Sequence, residues 1–433
     1  MKKAAEFTWG PLSEKQMRVL TWWRKGSAFA DYNGVIADGA IRSGKTVSMG
    51  FSFVEWATET FNGYNFAICG KTIESLRRNV IKTLVRQLRA RGYRVQEKRA
   101  ENMMIVSRGG RSNDFYLFGG KDEGSQDLIQ GITLAGIFFD EVALMPESFV
   151  NQATARCSVD GSKHWFNCNP AGPFHWFYRG WVLRCRARGY VYLHFAMDDN
   201  LTLSEKKKRQ YHAQYTGVFF LRFIKGLWAA ADGLIYDMFD KERHVAEKAP
   251  ETAGGFYISV DFGVQNPTAF LLWQKESGRE RWVCLEEYYY SGREERRQKT
   301  VAEYVSDLGK WLEKAGVPKS DVRQVIVDPS ATALIVELKR NAFTVLAADN
   351  DVARGIADVS VMLNTNRLLF LRHCKRTIRE FGAYVWDAKA AEHGDERPVK
   401  TNDHAMDAVR YFVRSKRLVR IDESYVSPFV ARR

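Results

Sequence analysis

The segment Gly39–Thr46, which reads GAIRSGKT, constrains the fold of this chain more than any other feature. Its two glycines, lysine and threonine have the spacing of a phosphate-binding P-loop. Glycine lets backbone N–H groups close around an anionic phosphate, Lys45 reaches the β- and γ-phosphate oxygens, and the Thr46 hydroxyl binds Mg²⁺. An apolar run precedes the loop, and a helix is predicted over 46–58 with its N-terminus facing the phosphate. The sequence therefore predicts an ATP site on a strand–loop–helix unit.

A second part of an ATP site is predicted downstream of this loop. Ile137–Phe139 is predicted to be a buried strand that ends in Asp140 and Glu141. In such a site the first acid holds Mg²⁺ through water, and the second polarises the attacking water. A further predicted strand ends at Asn167 and Asn169, whose amides are suited to sensing whether the γ-phosphate is present. The alternatives are an exposed pair of acids at a strand end and an Asn-Pro turn.

Strands and helices alternate through the first half of the chain, which predicts a parallel sheet with crossover helices. Ser13 is predicted to cap a helix that carries Gln16, and this glutamine either bonds an adenine edge or is an ordinary exposed residue. The helix predicted over 73–90 places four cations on one face, which either follows DNA phosphates or is simply solvated: these are Arg78, Lys82, Arg86 and Arg89.

Length and charge narrow the class of protein. A chain of 433 residues is expected to form two or three domains. Its net charge of +14 favours a polyanionic partner, most simply nucleic acid, over a merely solvated basic surface. The six cysteines form no CxxC pair and are predicted to be reduced and mostly buried, as in a cytosolic protein. No secretory signal or bilayer-spanning run is found, so no membrane association is expected.

The polar segment 241–255, with its proline and glycines, is predicted to link a first domain over 1–240 to a second over 256–433. A helix ending at Phe223 is predicted before it, after the lysine-rich run at 206–210. In the second half, strands are predicted over 256–260, 268–273 and 282–289, followed by an amphipathic helix over 300–315. A strand over 324–327, a helix over 331–340 and a strand over 343–347 follow, and the last helix is predicted to begin at Asn402.

Three apolar elements of the second half each present an acid, namely Asp261, Asp328 and Asp407. Acids at the ends of adjacent strands, with one from a helix packed across them, hold two Mg²⁺ or Mn²⁺ ions about 4 Å apart in phosphodiester-cleaving enzymes. Asp403 and His404 are candidate accessory ligands because they lie one helical turn from Asp407. Each acid alone is also compatible with an exposed strand end or a cap. The order of strands, helices and acids is the one that a ribonuclease-H-like nuclease requires.

With both constellations in place, the chain resembles the large terminase subunit of tailed bacteriophages, of the PBSX type, over nearly its whole length. The motifs that carry this resemblance are GAIRSGKT, GIFFDE, FNCNP, FIKGLWAAADGLIYDMF, VDFGVQNPTA, VDPSA and NDHAMDAVRY. The resemblance implies an α/β protein: an N-terminal P-loop ATPase of the ASCE (RecA-like) class with a parallel-sheet core, and a C-terminal ribonuclease-H-like α/β nuclease domain.

The resemblance also implies what such a protein does. The ATPase drives double-stranded DNA through the portal protein into a procapsid, and the nuclease cuts concatemeric viral DNA when packaging begins and ends. ATP with Mg²⁺ is the expected cofactor of the motor, and Mg²⁺ or Mn²⁺ that of the nuclease. The expected partners are double-stranded DNA, the portal, a small terminase subunit and further copies of this chain in a ring on the portal. The expected location is the bacterial host cytoplasm, transiently on the procapsid.

The same resemblance assigns roles by motif position. Arg42, inside the P-loop, matches a phosphate sensor or arginine finger, with Arg77 or Arg78 as candidates for a role across subunits. Asn167 and Asn169 match a coupling motif, although relatives carry Ser/Thr-Gly-Asn where this chain has Asn-Cys-Asn. The remaining assignments are the ATP site (Gln16, Gly39, Arg42, Ser43, Gly44, Lys45, Thr46, Asp140), the ATPase base (Glu141) and the nuclease site (Asp261, Asp328, Asp407, with Asp403 and His404).

Two other functions fit part of the sequence. A DNA helicase or remodeller without nuclease activity shares the P-loop and the basic charge, but it does not need three metal-binding acids. A non-enzymatic DNA-binding or capsid-scaffold protein needs neither intact site. Metal-dependent DNA cleavage and DNA-stimulated ATP turnover separate the three functions.

Overall fold

The computed structural model describes residues 10–263, 266–393, 395–401 and 403–419, and it contains two β-sheets with helices on their faces. The α-helices of the first half are α1 (Glu14–Thr21), α2 (Lys45–Thr60), α3 (Ile73–Leu76), α4 (Lys82–Ala90), α5 (Glu147–Ala155), α6 (Glu205–Gln214) and α7 (Gly217–Phe219). Those that follow are α8 (Lys241–His244), α9 (Val301–Lys314), α10 (Thr332–Arg340), α11 (Val352–Asn364), α12 (Lys375–Phe381), α13 (Ala388–Glu392) and α14 (His404–Ser415).

The first sheet has eight strands in the order β3-β4-β5-β2-β6-β7-β1-β8. These are β1 (Gly34–Gly39), β2 (Asn65–Gly70), β3 (Arg94–Lys98), β4 (Met103–Arg108), β5 (Arg111–Gly119), β6 (Gly136–Asp140), β7 (Lys163–Asn167) and β8 (Tyr190–Phe195). In this spatial order, the six strands from β5 to β8 are all parallel to their neighbours. The β3-β4 hairpin adds two strands at the β5 edge through antiparallel pairing. Parallel strands buried on both faces read as continuous apolar runs, as β1, β2 and β6 do. The predicted parallel sheet is confirmed.

Aromatic side chains fill the core on the α2 face of this sheet. Trp56 and Trp165 have ring centroids 4.8 Å apart, and Trp22 lies 5.0 Å from Trp165. All three indoles are almost completely buried. Large aromatic rings bury more apolar area than aliphatic side chains do. This cluster therefore fixes α2, and with it the P-loop, against the sheet.

The second sheet has seven strands in the order β14-β13-β10-β11-β12-β15-β9. These are β9 (Val245–Ala246), β10 (Thr252–Asp261), β11 (Thr268–Glu276), β12 (Trp282–Tyr290), β13 (Val322–Val327), β14 (Val345–Ala347) and β15 (Leu368–Leu371). The strands β10, β11 and β12 form an antiparallel meander, whereas β13 joins β10 in parallel. Trp273 on β11 stacks face to face on Phe412 of α14, with centroids 4.4 Å apart. This contact fixes α14 across the sheet.

The connection between the sheets is itself part of the second core. The Ile235 N–H bonds the Tyr384 carbonyl at 2.8 Å, and the buried Tyr236 ring stacks on the Tyr384 ring. Strand β9, within the segment predicted as a linker, pairs with β15. Residues 231–246 therefore pack with the second sheet, and the division at 240 and 255 remains a prediction about where two units separate.

Several predicted elements have different bounds in the structure. The helix predicted to end at Phe223 breaks after α6, where Tyr215 and Thr216 have extended backbone conformations. The helix over 73–90 is interrupted by a π-helical turn, Arg77–Ile81. The final helix begins at His404, and Asn402, its predicted start, lies outside the described residues. The helix α11 and the strand β15 had no sequence prediction.

All six cysteines are free thiols, and four of them are buried. No helix in the described part of the chain is both long and apolar enough to cross a membrane.

Candidate active sites

The first site lies where β1 ends and α2 begins. Gly44 precedes α2 in the left-handed conformation, with φ 83°, and the Lys45 ammonium turns back to the loop. Lys45 Nζ donates to the carbonyls of Gly39 (3.1 Å) and Ala40 (2.7 Å) and to the Ser43 hydroxyl (3.2 Å). Burial lowers the pKa of Lys45 to about 8. The loop thus holds a buried cation whose partners are mostly weak neutral acceptors, which suits it to receive a phosphate.

A second set of groups meets α2 from the adjacent strand ends. The Thr46 hydroxyl donates to Asp140 Oδ1 at 3.1 Å, and Asn167 Nδ2 lies 2.5 Å from the same oxygen and 2.7 Å from Thr46 Oγ1. Burial, and then the charge of Glu141, raises the pKa of Asp140. A hydroxyl and a buried carboxylate side by side are hard oxygen ligands, so Thr46 and Asp140 fit Mg²⁺ in kind and in placement. Asp140 and Asn167 lie side by side because β6 and β7 are parallel neighbours, whose carboxyl ends share one edge of the sheet.

Asn169 and Asn167 act at different points of this site. Asn169 Oδ1 accepts from Lys45 Nζ at 3.2 Å, whereas Asn167 binds the Thr46–Asp140 pair. Both predicted amides therefore touch groups that would hold the nucleotide. A ligand that accepts the hydrogen bonds of the Lys45 ammonium would replace Asn169 Oδ1 as its partner, which would release the Asn169 side chain.

Glu141 follows β6 in the left-handed conformation, with φ 59° and ψ 44°. Its carboxylate is about one-third exposed, and Oε2 accepts from Arg354 Nη2 at 2.9 Å. Arg354 belongs to α11, which packs with the second sheet. The predicted catalytic acid thus carries an ion pair that crosses between the sheets, which no sequence pattern indicated.

Arg42, inside the P-loop, and Gln16, on α1, were both predicted to contact the nucleotide, and each has a buried polar atom of interest. Arg42 has φ 59°, its guanidinium lies over the Tyr211 ring at 5.6 Å, and its buried Nη2 has no hydrogen-bond partner among the described residues. Gln16 is fully buried, and its Oε1 accepts from the Ser13 N–H in a capping box. The Gln16 Nε2 is buried, and no hydrogen-bond acceptor within the described part of the chain contacts it. Because buried donors are nearly always bonded, both groups have a donor to offer a ligand.

Sequence reasoning missed the network around Asp38, at the end of β1. Asp38 is fully buried and accepts from the Tyr192 hydroxyl (3.0 Å) and Trp228 Nε1 (2.7 Å), and His194 Nδ1 lies 2.9 Å away. This carboxylate ties the strand before the P-loop to β8 and to the connection between the sheets. An acid inside an apolar run was the available signal, because buried acids require partners.

The second site lies at the carboxyl ends of β10 and β13. These strands are parallel neighbours, with Val260 opposite Val327, so Asp261 and Asp328 emerge side by side. His404 Nδ1 lies 2.8 Å from Asp261 Oδ2, and the Tyr411 hydroxyl donates to Asp328 Oδ2 at 2.8 Å. Both partners come from α14, which brings the predicted third acid to the same place.

Asp407 has cationic neighbours of its own. Arg410 Nη2 donates to Asp407 Oδ1 at 2.7 Å, and Lys400 Nζ lies 3.3 Å from both Asp407 Oδ2 and Asp403 Oδ2. Burial raises the pKa of Asp261 to about 6, the bond from His404 lowers it, and the charge of Asp407 raises it. The acids of β10 and α14 therefore repel one another electrostatically.

Within the described ranges, no three His, Cys, Asp or Glu side chains converge closely enough to form a metal-binding group. The predicted acids share one face of α14 and one strand edge, but His404, Tyr411 and Arg410 occupy the space beside them. Their carboxylate oxygens fit Mg²⁺ or Mn²⁺ in chemical kind. The residues described at this site do not form a preformed two-ion geometry.

Glu380 is a second residue that sequence reasoning missed. It is buried, and one carboxylate oxygen accepts from the N–H groups of Ala405 (2.7 Å) and Met406 (3.3 Å). A carboxylate is favourable at the positive end of a helix. Glu380 therefore holds the first turn of α14, on which His404 and Asp407 stand. No local pattern connects Glu380 with that turn.

Comparison with known proteins places these sites in a family. Residues 36–243 match a family model described as the N-terminal part of the terminase large subunit, T4-like-virus type. A search of curated proteins gave no match.

Solved structures of the large terminase from the thermophilic bacteriophage D6E are similar over nearly the whole chain. One has 55% identity and a TM-score of 0.90, and covers 93% of this chain and 98% of its own. The D6E protein with ADP has 54% identity, a TM-score of 0.88 and coverage of 93% and 98%. With ATP-γ-S it has 52% identity, a TM-score of 0.88 and coverage of 94% and 99%. With this identity over both sheets, the chain belongs to the family of bacteriophage large terminase subunits.

Proposed function

We propose that this chain is an ATP-driven motor that moves double-stranded DNA into a procapsid through the portal, and an endonuclease that cuts the concatemer. The observation that carries the proposal is the presence of two separate acid-bearing strand edges in one chain. The strand edge of the first sheet carries a P-loop. The chain as a whole is similar to a terminase whose structure was solved with ADP and with ATP-γ-S. The proposed action is in the bacterial host cytoplasm, with the portal, a small terminase subunit and further copies of the chain as partners.

In the ATPase site, the phosphates replace the neutral partners of Lys45, and a positive charge is thereby matched to a negative one. Thr46 and Asp140 would hold Mg²⁺, which supplies charge neutralisation at the β- and γ-phosphates. Glu141 accepts a hydrogen bond from the attacking water and orients it. Arg42 offers the developing charge a buried donor, Nη2, that bonds to none of the residues the structure describes. Loss of the γ-phosphate returns Lys45 to Asn169, which makes this pair the proposed sensor.

In the nuclease site, Asp261, Asp328 and Asp407 are the proposed ligands, with Asp403 and His404 in support. Bound Mg²⁺ or Mn²⁺ would supply activation of water and stabilisation of the leaving oxygen. His404 positions the Asp261 carboxylate, and Tyr411 positions that of Asp328. Contact with DNA is proposed to be mainly to phosphates, since a packaging motor accepts any sequence. Arg78, Lys82, Arg86 and Arg89 are exposed and offer such contacts.

Two variants of the full chain test the proposal. Glu141→Gln should bind ATP-γ-S but lower DNA-stimulated turnover by about 10²-fold or more. Asp261→Asn should abolish plasmid cleavage in Mn²⁺ and leave ATP turnover within about twofold of the parent. The matched controls are exposed acids of the same domains, Glu147→Gln and Asp321→Asn. Turnover in Glu141→Gln close to that of the parent would overturn the ATPase assignment. An absence of cleavage by the parent chain itself would favour a helicase or remodeller.

A further inference from the structure

The start of α11 lies against the catalytic edge of the first sheet. Its cap residue Asp351 accepts from Lys71 Nζ at 2.7 Å, and Arg354 donates to Glu141 at 2.9 Å. Lys71 follows β2 and Glu141 follows β6, and these strands are hydrogen-bonded neighbours. One turn of helix from the second sheet thus touches two adjacent strand ends of the ATPase site.

Lys71, Asp351, Arg354 and Glu141 form a series of three neighbouring ion pairs. Arg354 Nε lies 3.9 Å from Asp351 Oδ2, so charges alternate from Lys71 to Asp351 to Arg354 to Glu141. The four side chains are between about one-fifth and one-third exposed. The Asp351 side chain also accepts from the Arg354 N–H at 3.2 Å, which fixes the first turn of the helix. The backbone of Arg354 is therefore fixed within α11, and its guanidinium extends from that helix to Glu141.

This contact competes with the proposed task of Glu141. A carboxylate that orients attacking water must turn toward the nucleotide and offer its oxygen lone pairs there. A charge-assisted bond to a guanidinium holds Oε2 in another direction, and such bonds are stronger than neutral ones. The left-handed backbone of Glu141 further limits where its side chain can point. Release of Arg354 is the movement that makes this oxygen available.

We infer that Arg354 is a positioning residue that holds Glu141 away from attacking water while α11 is docked, so that the second domain restrains ATP hydrolysis. The inference rests on the proposed role of Glu141. Lys71 and Asp351 hold α11 in place without touching the catalytic acid. Undocking of α11 therefore raises the rate of hydrolysis without a change in the groups that bind nucleotide.

The test measures steady-state ATP turnover of the full chain without DNA. Arg354→Met and Lys71→Met should each raise kcat about threefold to tenfold, with KM within about twofold of the parent, because ion pairs that are partly open to solvent contribute modestly. Arg354→Lys keeps the charge and should stay within about twofold. Arg372→Met is the matched control, since Arg372 forms an exposed ion pair with Glu247 that includes none of these four groups.

The outcomes separate the inference from the proposed function. The double variant Arg354→Met/Glu141→Gln should be as inactive as Glu141→Gln, which shows that the gain acts through the acid. An unchanged or lower kcat in Arg354→Met, with Glu141→Gln inactive, would overturn the inference alone. Substantial turnover in Glu141→Gln would overturn the proposed role of Glu141 itself.

Discussion

The ion pair between Arg222 and Glu396 gives the sharpest test of how the two halves are held together. The Arg222 guanidinium bonds both Glu396 oxygens, at 2.6 Å through Nη1 and 2.5 Å through Nη2. Its Nε also donates to the Ala229 carbonyl at 2.9 Å. The Arg222 side chain is 7% exposed and that of Glu396 is 17% exposed. Glu396→Ala would leave a buried guanidinium with its charge unmatched.

The size of the effect follows from this burial. Removing one partner of a buried ion pair destabilises a protein by about 3–5 kcal/mol, because the remaining charge stays out of water. The residual bond to Ala229 and the partial exposure of Glu396 favour the lower end, about 3 kcal/mol. For a domain of some 200 residues this lowers the Tm by roughly 6–12 °C.

Thermal unfolding of the full chain, followed by circular dichroism, measures this shift. The control is Glu247→Ala, whose ion pair with Arg372 is about two-thirds exposed and is expected to contribute about 0.2–1 kcal/mol. The double variant Arg222→Met/Glu396→Leu should recover most of the lost stability, since apolar replacements of a buried pair are often neutral. Equal shifts for Glu396→Ala and Glu247→Ala would refute the reasoning.

Three other predictions concern the sites and the second core. Burial lowers the pKa of Lys45 to about 8, and a bound phosphate favours the charged form of this side chain. The affinity for ATP-γ-S, measured by calorimetry, should therefore fall about tenfold per pH unit above pH 8. The Lys45→Arg variant should lose this pH dependence. Asn167→Asp should weaken Mg²⁺-dependent ATP-γ-S binding, because a second carboxylate beside Asp140 would raise the pKa of that acid further, and metal titration by fluorescence checks this. Trp273→Ala should cost about 3–5 kcal/mol in urea unfolding, since the indole is fully buried on Phe412.

The P-loop and the strand-end acids were predictable because their determinants are local. Glycines, Lys45 and Thr46 are spaced along a few residues, and Asp140 directly ends an apolar run. Parallel pairing then brings such ends together without further information, as with Asp261 and Asp328. The fold class followed from the same alternation of strands and helices.

Long-range pairs could not be predicted in this way. Nothing near Arg354 in the sequence indicates a partner at Glu141, 213 residues away, and Asp38 gives no sign of Trp228. Both pairs depend on how α11 and the connection pack, which periodicity does not specify. The neighbours of Asp407 were missed for a related reason: an acid within an amphipathic helix can equally face a metal or a basic side chain such as Arg410.

The connection between the sheets sets a limit on how far they can move apart. Trp228 is bonded to Asp38 in the first sheet, and Ala231 is already buried in the second core. Only Ala229 and Ala230 lie between these anchors, and three fully extended residue steps reach about 11 Å. While Trp228 and Ala231 keep these contacts, the segment between them lets the two sheets rotate relative to one another. It limits the distance between the two contact points to about a nanometre. A larger displacement of one sheet from the other during ATP hydrolysis would require the Trp228 indole to leave Asp38. The hydrogen bond between Trp228 and Asp38 therefore limits the size of that displacement.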